Sequence, residues 1–335
     1  FLLEYLRGKT MIKFFVKSAF LLFATSLVSA GWPAASSAFT ASLELLTGQR
    51  QDQLDWNIAG HLGGTNPNIL SELQWDDIAS RELSAGLELA WSLPRNIEVV
   101  LLGDAAYGWI YSGRNQDSDY AGDNRTIEWS RSVNDAGDGQ LLDLRGGGGV
   151  RFHLGRKWTL TPMIGYAYHE QDLVMRDGLQ TVAIIPAPAP YPDPFPVGTS
   201  FPDLNSSYNS WWFGPWVGGQ ASYEINEHLT ADVDVRMYRI NFQAEADWNL
   251  RSDLQHPVSF EHEADGSGMA INIGFDYRLN RHWSSGLQYD FIAMQADDGL
   301  DFIYVRSPTP GVGVTRLNEV NWGAWSLLLA LRYSF

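Results

Sequence analysis

The 335-residue sequence predicts an all-β fold, a ten-stranded antiparallel transmembrane β-barrel with long extracellular loops and short periplasmic turns. Three observations predict it. The last strand is apolar at every second position, ten strand-like segments can be counted, and the connections between them alternate in length. Short turns on one side and long loops on the other are typical of outer-membrane barrels.

The alternation is clearest in the last nine residues, LLLALRYSF. Apolar or aromatic side chains stand at Leu327, Leu329, Leu331, Tyr333 and Phe335. Because successive side chains of a strand point to opposite faces, these five share one face, which suits lipid. The segment resembles the last strand of Gram-negative outer-membrane barrels, whose terminal phenylalanine is read by the barrel assembly machinery. A buried strand of a soluble sandwich is the alternative.

The N-terminal region has the layout of a secretory signal peptide. Met11 is followed by Lys13 and Lys17, an apolar stretch at 14–27 and then small residues. We therefore expect an upstream extension at 1–10, a signal peptide at 11–38 cleaved after Ala30 or Ala38, and the barrel at 39–335.

Composition further narrows the classes of protein to which the chain can belong. No run beyond residues 14–27 reaches the roughly 18 apolar residues that a membrane-spanning helix needs, which excludes a helical membrane protein. Aromatic residues make up 13% of the chain, and barrels concentrate them at the bilayer interfaces. The net charge of -16 argues against nucleic acid and predicts acidic extracellular loops that favour cationic ligands, ions or basic peptides. A solvated acidic surface without a ligand is the alternative.

The strand-like segments are bounded by four very short turns and five long loops. The segments are 39–50, 69–93, 96–112, 139–154, 157–175, 209–226, 228–246, 266–280, 282–305 and 320–335. The turns are 93–96, 154–157, 225–228 and 279–282, and the loops are 51–68, 113–138, 176–208, 247–265 and 306–319. Several segments exceed the 9–11 or so residues that cross a bilayer, so we expect the barrel to project beyond it.

Two segments have further features. In 158–168 (WTLTPMIGYAY), alternation places Trp158, Leu160, Pro162, Ile164, Tyr166 and Tyr168 on the lipid face. Loop 176–208 contains seven prolines and predicts a stiff polyproline-II-like excursion.

The chain resembles the omptins, ten-stranded outer-membrane proteases that cleave at basic sites. The resemblance spans the mature chain and depends on 71–76 (SELQWD), 113–120 (GRNQDSDY) and 331–335 (LRYSF). It implies an Asp-x-Asp pair in the second loop facing an Asp-x-His pair in the fourth loop, which together activate a water. It also implies a dependence on lipopolysaccharide, if the protein is a protease.

The candidate catalytic residues are Asp117, Asp119, Asp253 and His256. Asp117 and Asp119 match the Asp-x-Asp element, and a period of two turns both carboxylates to one side. The fourth loop departs from the omptin pattern because Asp253 and His256 are one residue too far apart, which sends them to opposite faces of a regular strand. A bulge would restore the geometry. His262 has no aspartate two residues before it.

A second branch is also similar, the omptin-like porins of chlamydia-related bacteria. This resemblance depends on 68–75 (NILSELQW), 117–132 (DSDYAGDNRTIEWSRS) and 248–260 (WNLRSDLQHPVSF). It implies that Asp117 and Asp119 join Arg125 and Arg131 in a salt-bridged loop at the barrel mouth.

The predicted function is that of a pore-forming or non-catalytic surface barrel in the outer membrane of a Gram-negative bacterium. An omptin-type endopeptidase is the alternative, and an adhesin or scaffold is a third. Expected partners are outer-membrane lipid and lipopolysaccharide, the barrel assembly machinery, and cationic peptides or small solutes. No motif for a cofactor or metal is found, and the glycine run at 146–149 is not a phosphate loop because no helix follows it.

Overall fold

The structure is a computed structural model that describes residues 39–335. The predicted upstream extension and signal peptide lie outside these residues. The strands are β1 (Phe39–Ile58), β2 (Ser71–Leu93), β3 (Ile97–Gly122), β4 (Thr126–Asp135), β5 (Gly139–Leu154), β6 (Trp158–Ala183), β7 (Ser200–Glu224), β8 (Leu229–Asp247), β9 (Phe260–Arg278), β10 (Trp283–Val305) and β11 (Gly311–Ser334). Over this range, no helix has the length and apolar character to cross a bilayer.

The eleven strands form one antiparallel sheet that closes on itself. β1 pairs with β11, and each strand pairs with its neighbours around the ring. β4 and β5 are successive segments of one wall position, because both pair with β3 on one side and with β6 on the other. Eleven strands with two sharing a position leave ten positions, as the sequence predicts.

An apolar band surrounds the lower part of the barrel. The alternation of the last strand is as predicted, with Leu327, Leu329 and Leu331 exposed on the outer surface. Outward aromatic residues mark both edges of the band on this strand, Trp325 above and Phe335 below. The ten intervening steps span about 33 Å along the strand, or about 25 Å in height at the usual tilt, which matches a bilayer core.

Strands continue well above this band. The four short turns lie where the sequence predicts, but the opposite connections are shorter than the predicted loops and occupy 59–70, 123–125, 184–199, 248–259 and 306–310. Above the band, polar side chains face outward and apolar side chains face inward, which is the reverse of the arrangement within the band. On β1, Gln53 and Asp55 face outward to water while Leu54 and Trp56 are buried inside. A search for strands whose outward-facing residues are apolar therefore does not detect the parts of the strands above the band.

The proline-rich connection folds back over the barrel mouth. It is confined to 184–199, because β6 and β7 extend into the predicted 176–208 loop. The Tyr191 ring stacks on Trp129 of β4 at 5.3 Å between centroids and 11° between planes. The Tyr191 amide donates to the Pro188 carbonyl at 3.0 Å. The segment is thus a folded cap instead of a straight polyproline-II excursion.

Candidate functional site

Asp117 and Asp119 lie at the outer end of β3, above the apolar band. They are directly opposite Leu73 and Ser71 of β2, and their side chains share the inner face with these residues. Burial raises the pKa of Asp117 well above its ordinary value, and the charge of Asp119 raises it further. Burial also raises the pKa of Asp119, against the lowering effect of a hydrogen bond with Ser71. The structure therefore brings the predicted carboxylate pair together.

Asp253 and His256 lie in the 248–259 connection and have separate partners. Both Asp253 carboxylate oxygens accept hydrogen bonds from the Arg251 guanidinium at 2.8 Å, which lowers the pKa of Asp253. His256 Nδ1 lies 2.5 Å from Asp247 Oδ1. Within the described residues, no hydrogen bond joins Asp253 to His256.

Arg251 links the carboxylate pair to Asp253. Burial still raises the pKa of both Asp117 and Asp119, but the positive charge of Arg251 offsets part of that rise. Arg251 also forms an ion pair with Asp253. The carboxylate pair thus interacts with a guanidinium, which cannot act as a general base because it remains protonated.

The arginines expected beside the carboxylate pair have other partners. Arg125 Nε donates to Glu72 at 3.0–3.1 Å, and Arg131 Nε donates to Glu128 at 2.6 Å. They order the β3–β4 hairpin through glutamates rather than through Asp117 and Asp119.

Sequence reasoning missed a histidine–aspartate pair in the outer half of the lumen. His262 Nδ1 lies 2.9 Å from the Tyr208 hydroxyl, and His262 Nε2 lies 3.3 Å from Asp301 Oδ1. The partners could not be found from local spacing because Asp301 is on β10, directly across the sheet from His262 on β9. His262 is 0% exposed and Asp301 is 3% exposed, so the pair is buried.

Buried aromatic side chains fill the lumen around this pair. We call them the aromatic plug: Trp56, Trp75, Tyr208, Trp212, Phe242 and Trp322. Tyr208 lies between two tryptophans, with its ring centroid 5.1 Å from that of Trp75 and 5.9 Å from that of Trp56. Trp212 packs at 4.4 Å against Phe242 and at 5.9 Å against Trp322. These rings close the outer half of the barrel.

A charged network lies directly below the plug. Arg50 donates to both oxygens of Asp52 at 2.8–2.9 Å and also pairs with Asp143. Trp322 Nε1 donates to Asp52 at 2.9 Å, and His169 Nδ1 lies 2.7 Å from Asp143. The network therefore joins the aromatic plug to the polar space beneath it.

That space is a cavity of about 590 Å³, which we call the vestibule. It extends from Arg50 and His169 to the turn at 279–282, where Arg281 and His282 line it, so it opens at the short-turn end. Ten carboxylates and seven arginines are among its lining residues. No group of three or more His, Cys, Asp or Glu side chains within 39–335 is arranged to hold a metal ion.

Comparisons with known proteins identify the family. The family model described as Protochlamydia outer membrane protein matches residues 44–335. No curated protein matches the sequence. The outer membrane protease OmpT from Escherichia coli matches with a TM-score of 0.67 at 12% identity, covering 90% of this chain and 99% of that chain. At this identity the likeness establishes the fold alone.

Two further solved structures are less similar. The toluene transporter TodX from Pseudomonas putida has a TM-score of 0.34 at 8% identity, covering 90% of each chain. The translocator domain of the autotransporter NalP from Neisseria meningitidis has a TM-score of 0.33 at 11% identity, covering 98% of each chain. With its closed sheet and lipid-facing band, the chain is an outer-membrane β-barrel protein with an omptin-like fold, and it belongs to the Protochlamydia outer membrane protein family.

Proposed function

We propose that the protein is a non-catalytic surface barrel of the outer membrane whose lumen is closed on its outer side. The aromatic plug is the observation that carries this proposal. A barrel of about ten strands has a narrow interior that side chains can fill. Trp75 and Trp212 are 0% exposed within it, so ions have no wide aqueous path through the outer half.

The surroundings of the predicted site residues also favour a non-catalytic role. A general base must lie within hydrogen-bond reach of the water that it activates. Asp253, the predicted partner of His256, pairs with Arg251 instead, which supports a role other than the predicted Asp253–His256 dyad. The carboxylate pair interacts with Arg251, so we propose that Asp117 and Asp119 anchor the 248–259 connection over the mouth.

Planar-bilayer conductance tests the closed lumen. We expect refolded parent protein to show no steps, and the double variant Trp75→Ala, Trp212→Ala to show steps because it removes two large rings from the plug. Trp283→Ala is the matched control, since this tryptophan is exposed on the outer surface. Steps from the parent equal in size to those of the double variant would refute the proposal.

A pore is the second candidate function, and the charged vestibule favours it. An interior lined by ionisable residues is expected of water-filled barrels. Steady conductance of the parent that the plug variant leaves unchanged would establish the pore and would place the ion path away from Trp75 and Trp212.

The endopeptidase alternative is tested by cleavage of a dibasic fluorogenic peptide with added lipopolysaccharide. We expect no cleavage by the parent. If the parent cleaves and both Asp119→Ala and His256→Ala abolish cleavage, the omptin mechanism is correct and our proposal is wrong.

We also propose that the barrel assembly machinery recognises the last strand through Phe335, which is exposed at the lower edge of the band. Phe335→Ala should lower the amount of heat-modifiable protein in the outer membrane. Leu279→Ala, an equally exposed apolar residue in a periplasmic turn, is the control. Equal levels of Phe335→Ala and parent would contradict the role.

A further inference from the structure

The four periplasmic turns have the opposite charge balance to the chain as a whole. The full sequence contains 23 Lys and Arg against 39 Asp and Glu. The turns contain four basic residues and one acidic residue: Arg95, Arg156, Lys157 and Arg281 against Glu227. The tips of the turns therefore carry net positive charge, which attracts anions.

Three of these cations lie on neighbouring turns, and we call them the basic rim: Arg95, Arg156 and Lys157. The two turns that carry them lie side by side, because the His153 amide donates to the Asn96 carbonyl at 3.2 Å. The rim thus gathers three positive charges along one part of the periplasmic edge.

The charge of the basic rim is not neutralised by the barrel. All three side chains are exposed, and among residues 39–335 no carboxylate oxygen lies within 4.0 Å of their charged nitrogens. Glu98, which follows Arg95 at the start of β3, instead interacts with Arg151 at 3.4 Å and with His153 at 3.5 Å. The rim is therefore available to an anion from outside the chain.

The contacts of Lys157 place its ammonium group at the lipid-facing surface. Its Nζ atom lies 5.5 Å from the Tyr223 ring centroid and donates to the Ile225 carbonyl at 3.2 Å. The Tyr223 and Trp158 ring centroids are 4.6 Å apart, and Trp158 is 52% exposed on the outer surface. Because aromatic residues of this kind mark the boundary between lipid tails and water, the ammonium group lies at headgroup depth.

Exposed leucines accompany the two arginines of the rim. Leu93 and Leu154 each stand two residues before an arginine, and they are 48% and 54% exposed. Their side chains continue the outward face of β2 and β5, so they extend the apolar band to the turns. Cations and lipid-facing apolar surface are thus adjacent, an arrangement that matches an anionic amphiphile better than a soluble anion.

We propose that the basic rim binds the headgroup phosphate of an anionic phospholipid in the periplasmic leaflet of the outer membrane. A guanidinium donates a fork of N–H groups to phosphate oxygens, and an ammonium adds a compact positive charge. The acyl chains of the lipid would lie along the exposed leucines and Trp158, within the bilayer. The inference does not depend on whether the barrel conducts ions or closes its lumen.

Native mass spectrometry of the refolded barrel in detergent tests the site, with phosphatidylglycerol as the probe and phosphatidylcholine, which has no net charge, as the reference. We expect phosphatidylglycerol to bind about ten-fold more tightly than phosphatidylcholine, because basic residues at a membrane surface attract anionic headgroups. Glycerol 3-phosphate at the same concentration should not displace the lipid, because it has the phosphate but no acyl chains.

The triple variant Arg95→Gln, Arg156→Gln, Lys157→Gln removes the charge of the rim and should bind the two lipids equally. It should remain heat-modifiable like the parent, because the three side chains are exposed and form no ion pair within residues 39–335. Loss of heat-modifiability would show that the rim supports the fold instead, and would contradict the proposal.

The matched control makes the same change of charge at three exposed arginines away from the periplasmic turns, Arg81→Gln, Arg239→Gln and Arg306→Gln. We expect this variant to keep the preference for phosphatidylglycerol. Equal affinity of the parent for both lipids, an equal loss of preference in the two triple variants, or full displacement by glycerol 3-phosphate would overturn the proposal.

Discussion

The two halves of the lumen use opposite chemistry inside the same ten-position wall. The outer half is filled by closely packed rings such as Trp75, Tyr208 and Trp212. The periplasmic half holds a cavity whose walls carry paired arginines and carboxylates. The outer surface is reversed in the same way, being polar beside the plug and apolar beside the vestibule. The surrounding medium therefore decides which face of a strand is apolar, because lipid demands apolar side chains and water allows them to be buried inside.

Removing a ring of the aromatic plug should have the largest effect on stability. We expect Trp212→Ala to lower the free energy of unfolding by about 3–5 kcal/mol, since it leaves a cavity beside Phe242 and Trp322. Heat-modifiability on gels across a temperature series measures the change. A loss no larger than that of the exposed variant Trp283→Ala would show that the plug does not support the outer half.

In the charged half, the corresponding test removes one partner of a buried network. Arg50→Gln leaves Asp52, Asp143 and Glu82 without their shared cation, so we expect a loss of about 3 kcal/mol. Arg114→Gln removes an exposed ion pair with Asp77 and should cost under about 1 kcal/mol. Equal losses in the two variants would mean that burial adds nothing to the Arg50 network.

A methyl group beside the buried Trp216 ring should have an intermediate effect. A Cβ atom on Gly165 would lie 2.5 Å from Trp216 ring carbons and 2.2 Å from the Gly146 carbonyl oxygen. We expect Gly165→Ala to cost about 1–3 kcal/mol through overpacking. Gly274→Ala, where the nearest atom is 3.8 Å away, is the control and should be milder in the same melting assay.

The smallest expected effect is a pH dependence at the barrel mouth. The pKa values of Asp117 and Asp119 are raised, so folding disfavours their charged forms. Stability should therefore rise as pH falls from neutral toward the ordinary aspartate pKa of about 3.9. Heat-modifiability across a temperature series should show a higher melting temperature at mildly acidic pH in the parent, and a smaller rise in Asp119→Asn. A melting temperature that falls equally in both proteins over this pH range would contradict the sign.

Much of the lower barrel is predictable from local sequence. The alternation of Leu327, Leu329 and Leu331, and of Trp158, Leu160 and Ile164, gives the lipid face directly, because one medium acts along the whole segment. The upper strands are less predictable. In β1 the apolar side chains are outward at Leu45 and inward at Leu54. A prediction that assumes one apolar face for the whole strand therefore ends the strand between these residues.

The site is predictable only in part, for a similar reason. Asp117 and Asp119 are two residues apart on one strand, so the sequence places them together. The partners of His262 and His169 come from other strands, Asp301 of β10 and Asp143 of β5, and sheet register decides these contacts. Arg251 reaches the carboxylate pair from a connection whose path no local pattern specifies.

The division of one wall position between β4 and β5 has a consequence for how this barrel tolerates change. A one-residue slip in a continuous strand would turn every side chain beyond it to the opposite face. Here the break at 136–138, held by the hydrogen bond from the Ala136 amide to the Gly113 carbonyl, separates the outer segment from the membrane segment. Insertions or deletions in the β3–β4 hairpin would then be absorbed above the break. The exposed surface is free to diverge in length and sequence while the lipid-facing register of β5 stays fixed.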